Sequence, residues 1–307
     1  MDTPILLTIF NRPDSTKKVL EKIREARPTR LYVSADGPRP DRPDDKITCA
    51  AARALIDEID WNCKVIKNYG ATNLGCKLGP VSGINWFFSQ VEAGIILEDD
   101  CVPSISFFNF AGELLKKYKN EERIMHISGN NFLFGKIKIE DDYYFSLIPN
   151  SWGWATWRRA WQKFDVSATD LPDFIREKKI EKIFSSRLAQ KRFISFFKQA
   201  LESKSIWDYL WAYAILKNGG LCINPRVNLV SNIGFAPDAT HTTSRNSKFY
   251  KKFFNLPCGE ITKIAKHPAT LAVNKKADDL IMKQNFDINF TSEIKSYLGK
   301  IKKSIFS

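Results

Sequence analysis

Gly94-Ile95-Ile96-Leu97-Glu98-Asp99-Asp100 decides how this chain is read. Apolar or small residues run from Gly94 to Leu97, and three acids follow at once. A short apolar run ended by charge fits a strand buried on both faces that surfaces at its carboxyl end. Ligands of open parallel α/β sheets bind at that end. Adjacent carboxylates repel one another, and a hard divalent cation resolves the repulsion while gripping substrate phosphates. The plainer alternative is a solvated acidic turn, since Asp-rich turns are common.

Outward from this stretch, strands and helices alternate. Pro4 to Phe10 reads as a strand broken by Asn11-Arg12-Pro13-Asp14, with Asp14 or Ser15 capping a helix to about Arg27. Leu31 to Ala35 is a second strand, ended by Asp36-Gly37-Pro38. A helix is expected over about Ile47 to Ile59, a strand over Cys63 to Lys67, a glycine-containing loop over Asn73 to Gly79 and a helix over Val81 to Gln90. Past the acids come a helix over Ser104 to Tyr118 and a strand over Ile124 to Ser128. This alternation predicts an α/β fold with a mostly parallel central sheet and helices on both faces.

The character changes near Ser151. Six of the eight tryptophans lie between 152 and 211, helices are expected to about Asn218, and short strands follow near Leu221–Ile223 and Val227–Val230. The remainder is polar and basic, with an amphipathic helix expected over Ser292 to Ile305.

The 307 residues leave room for one large α/β domain or two small ones, and the hydrophobic share of 44% is ordinary for a globular protein. No apolar run reaches the length of a membrane span. The start Met1-Asp2-Thr3-Pro4 has no signal-peptide pattern, so residence in the cytoplasm is expected. The six cysteines form no Cys-x-x-Cys pair and only three histidines are present, which argues against zinc and for free thiols. Net charge is +13. From Asn246 on there are twelve lysines against five acids, an excess of seven positive charges. Such a balance suits phosphorylated substrates or an anionic membrane. No Arg-rich run or RNA-binding signature points to nucleic acid.

One order of motifs stands out: Phe10-Asn11-Arg12, Val33-Ser34-Ala35-Asp36, Glu98-Asp99-Asp100 with Pro103 and Phe107-Phe108, Trp152-Gly153-Trp154, Trp207-Asp208, and Asn232-Ile233-Gly234-Phe235 with His241. Over about residues 4 to 241 the chain resembles GT-A nucleotide-sugar glycosyltransferases, of the inverting N-acetylglucosaminyltransferase I type and a bacterial set used in surface polysaccharide assembly. Two departures stand against that pattern: Asn11 precedes Arg12 where the eukaryotic enzymes have Asp, and Tyr209 stands where they have a second Asp. The donor sugar is therefore not carried over.

The resemblance implies a Rossmann-like GT-A domain at 1–245, with a nucleotide-sugar half at 1–130, a helical acceptor-side half at 131–245, and a basic extension at 246–307. It implies a nucleoside diphosphate donor, UDP-linked, and Mn²⁺ or Mg²⁺, cations that suit oxygen ligands. Asp100 would hold the metal, with His241 on the metal or diphosphate; a surface-loop histidine is the alternative. Glu98 and Asp99 would face the ribose and donor sugar. Asp36 would accept a hydrogen bond from the base, unless Asp36-Gly37 is simply a turn.

Other residues are argued from their chemistry. The planar fork of Arg12 suits a phosphate or a base, or else a salt bridge. Lys77, just before a helix start, would meet the anionic donor, unless the glycines there mark a plain turn. Trp152 and Trp154 would approach an acceptor sugar or else serve as core, while Trp157 and Trp161, at i and i+4, fit helix packing.

Asp208 lies off the apolar stripe of Trp207, Leu210, Trp211, Ala214 and Ile215. It is the candidate general base for an acceptor hydroxyl. The rival is a capping box, Ser205-x-x-Asp208.

The expected activity is sugar transfer to a hydroxyl of a glycan or lipid-linked glycan, with the basic tail on an anionic membrane, at the inner face of the cell membrane, where such acceptors sit. Two rivals are a sugar-1-phosphate nucleotidyltransferase, whose glycine-rich phosphate loop is missing after Phe10, and a non-catalytic basic binding protein for RNA or acidic polymer. The latter leaves the acids at strand ends unexplained.

Overall fold

A computed structural model of the chain describes residues 1–234, 248–286 and 288. Its strands are β1 (Ile5–Ile9), β2 (Arg30–Ala35), β3 (Lys64–Tyr69), β4 (Ala93–Glu98), β5 (Cys101–Pro103), β6 (Ile124–Ser128), β7 (Tyr143–Ser146), β8 (Trp154–Trp157), β9 (Leu221–Pro225) and β10 (Val230–Asn232). The helices are α1 (Pro13–Ala26), α2 (Asp45–Ala54), α3 (Gly75–Gln90), α4 (Ile105–Lys117), α5 (Arg158–Trp161), α6 (Leu171–Arg176), α7 (Arg187–Glu202), α8 (Asp208–Lys217), α9 (Lys248–Phe253) and α10 (Lys275–Asn285).

Eight strands form one sheet in the order β3-β2-β1-β4-β8-β6-β9-β7. Six run in one direction, while β8 and β7 run against them. The fold is α/β, Rossmann-like, with a mostly parallel central sheet and helices on both faces. The buried strands show why apolar runs replace alternation here. Ile5, Leu7 and Ile9 of β1 pack in one cluster with Val19 of α1 and Phe107 of α4, while Leu6 faces a second cluster with Ile84 and Phe87 of α3. In β4, Ile95 and Leu97 join the first layer and Ile96 the second. Single-residue alternation thus feeds two cores.

The chain leaves β1 for β2 and β3 on one side, then returns to place β4 on the other. This reversal is the topological switch point, where a crevice opens at the carboxyl ends of the strands. Arg12 emerges just after β1 and the three acids at the end of β4. A two-stranded ladder of β5 and β10, with Asn232 opposite Cys101, folds residues 232–234 back over the same edge.

Several expectations change. Trp154–Trp157 is a strand between β4 and β6. All four of its residues are buried, so the i, i+4 spacing of Trp157 and Trp161 spans a strand–helix boundary and is no helix face. Helix α3 begins at Gly75 and takes in the expected loop from that residue on, leaving Asn73 and Leu74 outside, with Pro80 inside the helix. Helix α1 starts with Pro13 in its first turn and has no side-chain cap from Asp14 or Ser15. Pro fits that position because the N–H it lacks has no intrahelical partner there. The strand β7 was not foreseen.

A third core cluster joins Phe174, Phe193, Phe197, Leu210 and Tyr213 with Ala277, Ile281 and Met282 of α10. The segment after 246 therefore contributes core as well as charge. The expected helix at 292–305 lies outside the described residues. No helix among the described residues is long and apolar enough to cross a membrane.

Candidate active site

Parallel pairing sets Thr8 of β1 beside Glu98 of β4, so the residues after both strands meet at one edge. The Arg12 guanidinium forks across two acids, donating through Nη1 to Asp100 Oδ2 at 2.8 Å and through Nη2 to Asp99 Oδ1. Asp99 also accepts from the Phe10 amide at 3.2 Å. Burial alone would depress the Arg12 pKa, but Asp99 and Asp100 outweigh it and hold the guanidinium above its ordinary range. Of the two readings of Arg12, the ion pair is the one observed, and its partners are the acidic triplet itself.

Glu98 is pushed up to about 8, first by burial, then by Asp100 and Asp99, with Arg12 opposing and Asp208 adding to the rise. Asp99 is pushed up to about 6 by burial, with Arg12 lowering it and Asp100 raising it. Asp99 and Asp100 are buried and Glu98 is half-buried, and three acids around one guanidinium suit a cation. Donor atoms of Glu98, Asp100 and Cys101 lie within 4.8 Å of one another. The Cys101 thiol donates to Asp100 Oδ1 at 3.4 Å, and its pKa sits well above the ordinary value through burial and the Asp100 charge. A protonated thiol is a poor ligand. The usable donors are therefore carboxylate oxygens, and the residues fit a hard divalent cation.

Asp208 is the first residue of α8, in the helical half. Its charge adds to the rise of Glu98, behind burial, Asp100 and Asp99. The capping box does not form: Trp207 is the N-cap, and Asp208 Oδ1 accepts from the adjacent Tyr209 amide at 3.0 Å. Ser203 Oγ, rather than Ser205, takes the loop amides of Ser205 and Ile206.

Three expected roles are corrected. Lys77 is buried, and its ammonium donates to the carbonyls of Ala200, Leu201 and Ser203 at the end of α7, at 2.7, 3.2 and 3.1 Å. A lone cation satisfies helix-end carbonyls well. The Asp36 carboxylate accepts from Gly37, Leu74 and Gly75 amides and from Asn73 Nδ2, so it anchors the start of α3 instead of presenting itself to a base. Trp154 is fully buried against Trp161, Trp207 and Trp211 and belongs to the core. Trp152 stays half-buried, edge-on to Phe132 at 5.4 Å and Phe253 at 6.0 Å. His241 lies outside the described residues. His126 is structural: the Trp211 indole N–H donates to Nδ1 at 3.1 Å and Nε2 faces the Asn150 carbonyl at 3.0 Å, while burial lowers its pKa to about 3.

Gly234 had no role of its own in the sequence. A Cβ at this position would overlap the Asp100 carboxylate and press on Arg12 Nη1. Only glycine lets the backbone after β10 lie this close to the acids. The signal in the sequence was the Asn-Ile-Gly run, but its partner is far away along the chain.

No family model matches the chain, and no curated protein matches it. Similar solved structures include mouse xyloside xylosyltransferase 1 in its apo form, 11% identical with a TM-score of 0.34, covering 85% of this chain and 96% of that one. They also include the inositol-1-phosphate CTP transferase from T. maritima, 11% identical with a TM-score of 0.37, covering 82% and 95%. A third is HddC from Yersinia pseudotuberculosis, 10% identical with a TM-score of 0.31, covering 51% and 77%. Likenesses of this size carry no function across, so what the chain does has to be argued from its own residues.

Proposed function

We propose that the chain is an inverting, metal-dependent glycosyltransferase that moves a sugar from a UDP-linked donor to a hydroxyl of a glycan or lipid-linked glycan. One observation carries the reading: Arg12 forks across Asp99 and Asp100 at the carboxyl end of β4, where Glu98 and Asp100 bring carboxylate oxygens within 4.8 Å of one another, and Asp208, the first residue of α8, is the candidate acid for the acceptor. Two sets of acids with different surroundings suit two jobs, one at the diphosphate and one at the acceptor.

The acceptor oxygen attacks the anomeric carbon as the bond from that carbon to the diphosphate oxygen breaks. The electron pair leaves with the nucleoside diphosphate, and the Asp208 carboxylate takes the hydroxyl proton. A divalent cation held by Asp100, with Glu98 beside it, would supply Lewis-acid neutralisation of the leaving diphosphate. Arg12 fixes the orientation of Asp99 and Asp100, and Gly234 leaves space for them. Glu98 would face the ribose or donor sugar, whereas Asp99 has its two oxygens engaged by Arg12 and the Phe10 amide and acts by holding Arg12.

The test is a screen of nucleotide sugars with Mn²⁺, read as a rise in melting temperature, since a ligand that binds only the native state raises stability. At least one UDP-sugar should stabilise the wild type only when Mn²⁺ is present, and Asp100→Ala should lose that shift while keeping its fold. Stabilisation of Asp100→Ala with unchanged metal dependence would refute the metal assignment.

A further inference from the structure

Beside Asp208 lies a small pocket that the transfer chemistry does not use. Its walls come from Ile148 after β7, Phe193 and Phe196 of α7, Tyr209 and Ala212 of α8, and Phe286 after α10. Phe196 and Tyr209 stack at 4.7 Å, which stiffens one wall. Among the described residues Asp208 is the only carboxylate in the lining, and Ser151 adds a hydroxyl. The cavity measures about 40 Å³. A single water needs roughly 10–15 Å³ by the same kind of measure, so the space exceeds one water several-fold. Its apolar walls offer few partners to water, and such cavities favour carbon over solvent.

We infer that this pocket takes the N-acetyl group of an acceptor sugar, next to the hydroxyl that reacts. The inference rests on the glycosyl-transfer reading of Asp208 and narrows its acceptor class. Size argues for a group of a few heavy atoms: a lone methyl underfills the space, and a sugar ring or a long acyl chain exceeds it. Chemistry argues for an amide-linked group. Its methyl fits the aromatic wall, and its N–H points back to the rim where Asp208 stands. Asp208 Oδ1 already accepts from the Tyr209 amide at 3.0 Å, and a carboxylate oxygen can take more than one donor, so the ligand's amide N–H and vicinal hydroxyl would meet the same group. Phe286 makes the segment after α10 part of this recognition.

The experiment uses the full chain and methyl glycosides in pairs: N-acetylglucosamine and N-acetylgalactosamine against glucose and galactose. Saturation-transfer NMR reads which ligand protons touch the protein. The acetyl methyl should give the strongest signal, and the parent sugars should give none above background. Ala212→Leu fills the pocket and should remove the acetyl signal while leaving donor-induced stabilisation unchanged. Ala212→Val, a smaller intrusion, should weaken it and serves if the leucine variant does not fold. Transfer assays should favour acetylated acceptors by about 10-fold or more in kcat/KM, the worth of a small group in a fitted pocket.

Equal signals from acetylated and parent sugars, no binding of either, or an acetyl signal unaffected in a folded Ala212 variant would overturn the inference. Transfer without preference for the acetylated member would overturn it too and leave the transferase reading standing. Acetyl binding in the pocket without turnover of any UDP-sugar would instead refute the transferase reading, and with it the acceptor role of the pocket.

Discussion

Asp208 and Lys77 show how one side chain's meaning depends on its partners. Asp208 begins α8, where a carboxylate is favoured by the helix dipole, yet its charge also adds to the rise of Glu98. Asp208→Asn keeps the shape and removes the proton acceptor. Turnover is expected to fall by about 10²–10⁴-fold, the usual worth of general base catalysis, with donor affinity nearly unchanged. Melting temperature should move little, because the lost dipole interaction is worth only about 0.3–1 kcal/mol and repulsion with Glu98 is relieved. Initial rates within threefold of wild type would remove the base. For Lys77 the expectation runs the other way. Lys77→Met leaves three carbonyls at the end of α7 without their cation and should cost roughly 1–3 kcal/mol in denaturant unfolding, with donor affinity unaffected. A selective loss of donor binding would restore the phosphate role.

At the scale of elements, α10 is held by a buried acid. Asp278 accepts from Ser146 Oγ at 2.6 Å and from the Leu147 amide at 2.9 Å, which ties the helix to the end of β7. Burial pushes its pKa up to about 7 from 3.8, although those hydrogen bonds pull it back. The folded state thus holds a proton that the unfolded chain has released between these two values. This contribution is fully present below the unfolded pKa and is lost as pH rises through the folded one. Asp278→Asn carries no such proton. The variant should gain on wild type as pH rises from 4 to 8, by a few kcal/mol at most, since a tenfold change in proton affinity is worth about 1.4 kcal/mol. Parallel stability curves for the two proteins would show that Asp278 is ionised in the folded state.

For the whole molecule, the basic excess and the core share the last fifth of the sequence. Truncation after Ile288 keeps the buried Ile288 and the pocket residue Phe286 while removing four lysines and one glutamate. Binding to vesicles containing phosphatidylserine should weaken, at about 1 kcal/mol per basic residue near the surface, while turnover of a soluble acceptor is spared. Equal vesicle binding by both forms would rule out membrane attachment through this tail.

The first half of the sheet was readable because its signals are local. Apolar runs at Ile5–Ile9 and Ala93–Glu98, each followed by polar residues, announce buried parallel strands and the edge where Arg12 and the acids emerge. Trp154 misled because tryptophan is equally at home on a sugar and in a core, and the choice fell to β8, inserted antiparallel between β4 and β6. Asp36 and Lys77 carry charges that a sequence offers to any ligand. Folding delivers them to backbone groups nearly forty and more than a hundred residues away. The Asn-Ile-Gly run around Gly234 named no partner, and the pocket beside Asp208 had no local signature, because each is defined by what packs against it. Periodicity and charge placement therefore determined the architecture and the acidic edge, since both act over a few residues. Tertiary structure decided which polar groups remained for chemistry, since hydrogen-bond partners and close approach are set by contacts the chain makes only once folded.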